Sequence, residues 1–223
     1  MKSNEAYFDH IAGDFAQRYN TKIFLKRRKQ IWLNSIKRFA TEHGTCLDVG
    51  CGPGVMSQIA LDCGMNTTCL DSSSEMLDIA RRNCRGANFI KSSLPLRDSS
   101  LRSRFDLVIC SSVIEYVDDV HETMRDMCAM LRDKGILLVS LPNKVSLYRK
   151  VEKIVSLVKP SICAYLEMQK HLFTLPQAKQ VISEAGLMYI SHQYFGLVSP
   201  LYRLSVPESS GFTGGLMLIV ACK

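Results

Sequence analysis

The sequence predicts an α/β chain built on an open, mostly parallel sheet, and three observations carry that prediction. Short apolar runs of strand length alternate with helical periodicity from residue 45 onward. The first run, Thr45 to Val49, leads into Gly50-Cys51-Gly52-Pro53-Gly54 and then a helical pattern at Val55, Ile59, Ala60 and Cys63. The second run, Thr67 to Leu70, ends on Asp71, 21 residues past Gly50. A strand, a glycine-rich turn and a helix N-terminus make a nucleotide cradle. Glycines let the backbone approach a ligand closely, and the free N–H groups of the first helical turn face it. A strand-end acid at about this spacing meets a ribose diol in such units.

Ahead of this unit, the first forty residues read as two helices. Phe8, Ile11, Ala12 and Phe15 share one face of the first. Ile23, Leu25, Ile31, Trp32 and Ile36 give the second an apolar side and a basic outer face. Gly64 suits the end of the helix after the turn. Ser72-x-x-Glu75 reads as a capping box, opening a helix whose apolar side is Met76, Leu77, Ile79 and Ala80. Ala87 to Ile90 is a short third strand. Phe105 to Cys110 is a fourth, apolar except for Asp106 and therefore central. Ser111, Ser112 and Val113 follow its carboxyl end, where ligands bind in open α/β sheets. Asp119 caps a helix with Val120, Met124, Met127, Cys128 and Leu131 inward, and Gly135 is expected to end it. Ile136 to Ser140 is the fifth strand. Asn143 to Thr174 is a long stretch with an amphipathic pattern from Val145 to Val158. A helix over Pro176 to Ala185 precedes two last strands, Leu187 to Tyr194 and Leu216 to Cys222.

Composition bounds the answer. The chain has 223 residues, enough for one domain with a single large core. No apolar run approaches the ~20 residues needed to cross a bilayer, and MKSNEAYFDH holds no apolar signal region. Nine cysteines without a CxxC pair, several inside apolar runs, predict buried reduced thiols and a cytoplasmic location. No ligand spacing predicts a metal site. The net charge is +7. Arg18 to Arg38 carries eight Lys or Arg and no acid, and Lys144 to Lys159 carries five against Glu152. Each stretch suits an anionic partner or a solvated helix face.

The turn separates two cofactor classes. Position 55 is Val, so the pattern is G-x-G-x-G, not the dinucleotide G-x-G-x-x-G, and Asp48 stands two residues before the first glycine. This arrangement resembles motif I of the class I S-adenosylmethionine-dependent methyltransferases. DSSSEMLDIAR (Asp71 to Arg81) is similar to the family's second motif. SLPLRDSSLRSRFDLVICSSVIEYVDD (Ser93 to Asp119) is similar to its third and fourth, and AMLRDKGILLVSLP (Ala129 to Pro142) to its fifth strand and approach. FDHIAGDFAQRYN resembles the opening that caps the cofactor pocket in many members.

The resemblance implies a Rossmann-like, seven-stranded, mostly parallel sheet with helices on both faces, an antiparallel last strand and a helical N-terminal lid. Residues 1–40 would be that lid, 41–142 the cofactor core, 143–175 a helical lid insertion, and 176–223 the last helix and strands. The cofactor would be S-adenosyl-L-methionine, leaving as S-adenosyl-L-homocysteine. By resemblance the backbone of Gly50, Cys51, Gly52 and Gly54 cradles the methionyl part and ribose, and Asp48 orients the amino group. Asp71, with Ser72 beside it, takes the ribose hydroxyls. Met76 lies against adenine, Ser93 and Leu94 border it, and Ser111 lies near the methionine end. Tyr19 would contact the cofactor carboxylate or the acceptor, and Tyr116 the acceptor. After the third strand the family has an acid that reads adenine; this chain has Lys91-Ser92-Ser93-Leu94.

A methyl on a sulfonium is already activated, so alignment does much of the work, and a hydroxyl acceptor gains further from a base. His171, in YLEMQKHLFT, leads as that base and His10 is second; His43, His121 and His192 read as structural. The Asn/Asp-Pro-Pro-aromatic motif of methyltransferases acting on bases and glutamine is absent after Cys110. The first function expected is O-methylation of a small molecule: a secondary metabolite, quinone precursor or sugar-like compound. A second is the same chemistry at a membrane surface, on a lipid-like or polyprenylated acceptor, with 144–159 as the peripheral contact. A third is a cofactor-binding partner subunit without turnover. No specific nucleic-acid partner is expected.

Overall fold

The computed structural model describes residues 4–21, 23–96, 98–147, 149, 156, 166–196 and 211–223, with side chains from 5 to 14 and from 25 onward within those ranges. Most of the 144–159 stretch, and the side chain of Tyr19, lie outside that description.

Seven strands form one sheet: β1 Thr45–Val49, β2 Asn66–Asp71, β3 Asn88–Lys91, β4 Phe105–Cys110, β5 Leu131–Pro142, β6 Met188–Phe195 and β7 Leu216–Cys222. Their order is β3-β2-β1-β4-β5-β7-β6. The first five run parallel, and β7 is antiparallel to both β5 and β6. The α-helices that accompany them include α1 Asn4–Thr21, α2 Ile23–Phe39, α3 Val55–Asp62, α4 Ser74–Asn83, α5 Val120–Met130 and α6 Leu175–Glu184. The sheet and the two N-terminal helices expected from the sequence are present.

The central strands are mostly apolar, with Asp48 in β1 and Asp106 in β4 as the acids, because both faces are covered. Alternate residues of β1 and β4 point to opposite layers. Leu47 and Val108 pack on one face with Met124, Met127 and Ile182 of α5 and α6. Cys46, Leu107 and Ile109 pack on the other with Trp32, Ile36, Met56 and Ile59 of α2 and α3. Trp32 is fully buried and serves packing.

Strand order reverses between β1 and β4, and ligands bind in open α/β sheets at such a switch, beyond the strands' carboxyl ends. The turn after β1 and the loop after β4 therefore face one crevice.

Two local expectations are corrected. The N-cap of α4 is Ser73, whose hydroxyl accepts the Met76 N–H at 3.1 Å; Ser72 instead borders the crevice. The Asp71 carboxylate fixes this register by accepting the Ser73 N–H at 2.9 Å. Helix α5 ends at Met130, short of Gly135, because Ser103 and Arg104 donate their N–H groups to the carbonyls of Ala129 and Met130. Leu131 is then free to enter β5 opposite Phe105, and Gly135 serves the turn inside that strand, where a Cβ would stand 2.9 Å from the Arg132 carbonyl.

Candidate active site

A cavity of about 340 Å³ opens at the switch point. Its floor is the turn after β1, where Gly50 and Gly52 hold φ of +67° and +53°. At Gly50 a Cβ would sit 2.3 Å from Val113 Cγ2, so the loop after β4 can close on the turn only over a glycine. At Gly52 a Cβ would meet nothing closer than Met76 Sδ at 3.9 Å; a side chain there would fill the cradle itself. Gly54 has a different role. It is not among the lining residues, and a Cβ on it would stand 2.5 Å from Cys84 Sγ.

Asp48 lies beneath the turn, 1% exposed. Its Oδ2 accepts the Ser57 hydroxyl at 2.6 Å, while Oδ1 has no partner. Burial pushes this carboxyl up to about 7, with the Ser57 bond opposing the rise. Asp71 ends β2 on the cavity wall. Burial raises its carboxyl too, against the backbone N–H bonds from Ser73, Gly52 and Ser72.

Across the cavity stands Arg28, whose Nη2 donates to Ser111 Oγ at 2.5 Å and whose buried Nε has no partner. Glu115, 3% exposed, lies near Arg28 and Arg149; burial raises its carboxyl while the two guanidiniums and Ser112 hold it down. Ser112 takes φ of +58° and donates its N–H to Ser140 Oγ at 2.8 Å. A non-glycine residue in that region is strained, as at many ligand sites. Burial also raises the Tyr116 phenol, which stays protonated.

Helix α1 borders the cavity through Glu5 and Phe8. Asp9 Oδ1 accepts the Ser73 hydroxyl at 2.5 Å, and Glu5 pairs with Lys91 at 3.0 Å. Phe8 meets Tyr116 edge-on, ring centroids 5.4 Å apart, and both rings line the cavity.

The structure brings Asp48, Gly50, Cys51, Gly52, Asp71, Ser72, Met76, Ser93, Leu94, Ser111 and Tyr116 to this one cavity. It does not bring His171 or His10 there. His171 Nε2 is hydrogen-bonded to the Val117 carbonyl at 2.9 Å, and His10 is exposed on α1. Arg28 went unassigned in the sequence because it sits in a basic run. The signal was its spacing, three residues after Leu25 and four before Trp32, which places it beside the buried face of α2.

The sequence profile of a family described as "Methyltransferase domain" matches residues 24–192. A ubiquinone biosynthesis O-methyltransferase from Rickettsia bellii is 32% identical over 102 residues, 44% of this chain and 42% of that protein. A malonyl-[acyl-carrier protein] O-methyltransferase from Enterobacter lignolyticus is 30% identical over 116 residues, 48% of this chain and 45% of that one. The chain thus spans less than half the length of these curated relatives. Among solved structures, magnesium protoporphyrin IX methyltransferase from Synechocystis PCC 6803, with bound SAH, superposes with a TM-score of 0.72 at 16% identity, over 98% of this chain and 97% of that one. A SAM-dependent methyltransferase from Archaeoglobus fulgidus gives 0.70 at 19%, over 94% and 99%. At these identities the likeness is one of fold.

Proposed function

The chain belongs to the methyltransferase-domain family, and on that premise we propose that it transfers the methyl group of S-adenosyl-L-methionine to a hydroxyl of a small-molecule acceptor. One observation carries the reading. Two opposite charges, each with an unpartnered buried atom, border the same cavity: Asp48 Oδ1 and Arg28 Nε. They complement the ammonium and carboxylate of an amino acid, and the acid Asp71 at the end of β2 suits a ribose diol.

When bound, the cofactor supplies an activated methyl group. The residues here bind, orient and exclude water. Gly50 and Gly52 leave room for the ligand's close approach. Phe8 and Tyr116 cover it from the lid side. The protonated Tyr116 phenol is a donor for the acceptor oxygen, not a base. Among the described residues no histidine lines the cavity, and in this reading alignment supplies the acceleration, ~7–11 kcal/mol at best. The choice of oxygen as acceptor atom rests on the curated relatives, both named as O-methyltransferases.

The test has two arms. Arg28→Met should weaken S-adenosyl-L-methionine binding at least tenfold, yet leave 5′-methylthioadenosine, which lacks the amino-acid end, nearly unchanged. Labelled cofactor incubated with small-molecule extract should then give an O-methyl product. N-methyl products alone would sink the choice of oxygen.

A second reading places the same chemistry at an anionic membrane surface. Its support is the exposed outer face of α2, with Lys26, Lys29, Lys37 and Arg38. No helix among the described residues is long and apolar enough to cross a membrane. Binding to anionic vesicles at low salt that fades as salt rises would favour this reading.

A further inference from the structure

Asp48 and Arg28 face the amino-acid end of the cofactor and Asp71 its ribose, so the molecule runs outward along the carboxyl ends of the strands. The strand order leaves the end of β3, beyond β2, for its base. Ser92, Ser93 and Leu94, which follow β3, line the cavity there together with Met76 of α4. Adenine presents an exocyclic amino group, a donor, where a 6-oxo purine presents a carbonyl, an acceptor. Telling the two apart takes an acceptor in the protein.

The strand end supplies no charged acceptor. The residue that closes β3 is Lys91, opposite Asp71 in register, and an ammonium only donates. Its Nζ donates to Ser74 Oγ at 2.7 Å and pairs with Glu5 Oε1 at 3.0 Å. Four acids line the cavity. Asp48 lies under the turn, Asp71 ends β2, and Asp118 stands past Tyr116 and Val117, paired with Lys170. The fourth is Glu5, and its partner places it at the end of β3. Helix α1 carries it there. Asp9, one turn further along the same helix face, accepts the Ser73 hydroxyl at 2.5 Å and the Glu75 N–H at 3.4 Å, which docks α1 on the start of α4. Phe8 fixes the same helix against Tyr116. Glu5 Oε1 takes Lys91, and a carboxylate has a second oxygen to offer.

We propose that Glu5 reads the base of the cofactor: its Oε2 accepts from the exocyclic amino group and sets the preference for adenine over a 6-oxo purine. The acid that makes this choice then comes from the N-terminal helix and not from the sheet. A 6-oxo purine would set its carbonyl against that oxygen, two acceptors facing each other. The hydroxyls of Ser92 and Ser93 also offer acceptors, but a neutral hydroxyl accepts less strongly than a carboxylate. The inference rests on the cavity being the S-adenosyl-L-methionine site.

Calorimetry on S-adenosyl-L-homocysteine and on S-inosyl-L-homocysteine, which carries hypoxanthine, tests it without any acceptor or turnover. We expect the wild type to favour the adenine compound by about tenfold or more. Glu5→Gln replaces an acceptor-only group with one that also donates. It should weaken S-adenosyl-L-homocysteine by about fivefold or more, spare the hypoxanthine compound, and bring the ratio below about threefold. Glu5→Ala should bring the ratio equally low by losing affinity for the adenine compound. Lys91→Met removes the ion pair but keeps the acid, so the adenine compound should stay favoured; loss of the preference there overturns the proposal. If Glu5 only ties α1 to β3, Glu5→Gln weakens both ligands alike and leaves the ratio unchanged, and the proposal falls. It falls too if the wild type does not discriminate, or if the ratio collapses while the affinity for S-adenosyl-L-homocysteine stays at its wild-type value. Failure of S-adenosyl-L-homocysteine to bind the wild type at all would fault the cofactor reading, and the role of Glu5 with it; binding with an unchanged ratio in Glu5→Gln faults Glu5 alone.

Discussion

Asp71 Oδ2 accepts the Gly52 N–H at 2.8 Å, so the end of the second strand grips the turn that follows the first. Its other oxygen accepts the Ser73 N–H at the start of α4. One carboxylate shapes the cradle, positions a helix and borders the cavity. Asp71→Ala removes all three functions at once. It should cost ~1–3 kcal/mol of stability, because two backbone donors lose their acceptor, and weaken cofactor binding at least tenfold. Urea unfolding and calorimetry measure the two effects separately. Unchanged affinity in a folded variant would remove Asp71 from the binding site.

Asp48 predicts opposite signs for stability and binding. Its folded carboxyl titrates near 7, whereas an unfolded one titrates near ~3.9. Between those values the folded chain keeps a proton that the unfolded chain has lost. The stability this contributes is full below about 4 and gone above about 7. Asp48→Asn should therefore stabilise the ligand-free protein at pH 8, on the order of 1–3 kcal/mol, with the gain vanishing toward pH 4. The same variant should bind S-adenosyl-L-methionine at least tenfold more weakly at pH 8, and wild-type affinity should fall as pH drops below 7. Melting curves and titrations across that range would expose a failure of either sign.

Gly52 and Gly54 should respond differently to alanine. At Gly54 the new methyl meets Cys84 Sγ at 2.5 Å in a backbone with φ +82°, so ~2–4 kcal/mol of stability should be lost. At Gly52 nothing in the protein obstructs the methyl, and the left-handed backbone alone costs ~1–2 kcal/mol. Its effect should fall on cofactor affinity instead, by tenfold or more. Equal affinity losses per unit of stability lost in the two variants would contradict this division.

His171→Ala should keep turnover within tenfold of wild type. The ring is bonded to the Val117 carbonyl, and the neighbouring Lys170 N–H is bonded to the Glu115 carbonyl, so this segment braces the loop after β4. A stability loss of ~0.5–1.5 kcal/mol is the expected result. A hundredfold fall in turnover with cofactor affinity intact, and a pH–rate profile that loses its acidic limb, would restore His171 as the base.

The cradle was legible in the sequence because it is local: Thr45 to Asp71 carries strand, turn, helix and strand-end acid within one continuous stretch. The sheet was legible where apolar runs had turn residues on both sides. Contacts between distant elements were not. Arg28 meets Ser111 across 83 residues, and a cation in a basic run reads as solvated until the helix is docked. Gly135 misled for a different reason. Glycine ends helices and serves tight turns alike, and here α5 was stopped by N–H groups donated from the segment before β4.

Strand β7 sets the order in which this chain can assemble. It lies between β5 and β6, pairing with both, though it is the last strand in sequence. A ribosome releases it after every element it joins, so β5 waits with one edge bare until residues 216–222 emerge. The half bearing β1 to β4 has nearly all its partners close in sequence and can assemble during synthesis. The other half depends on a late, long-range insertion, the slow kind of step that leaves a strand edge open to wrong partners.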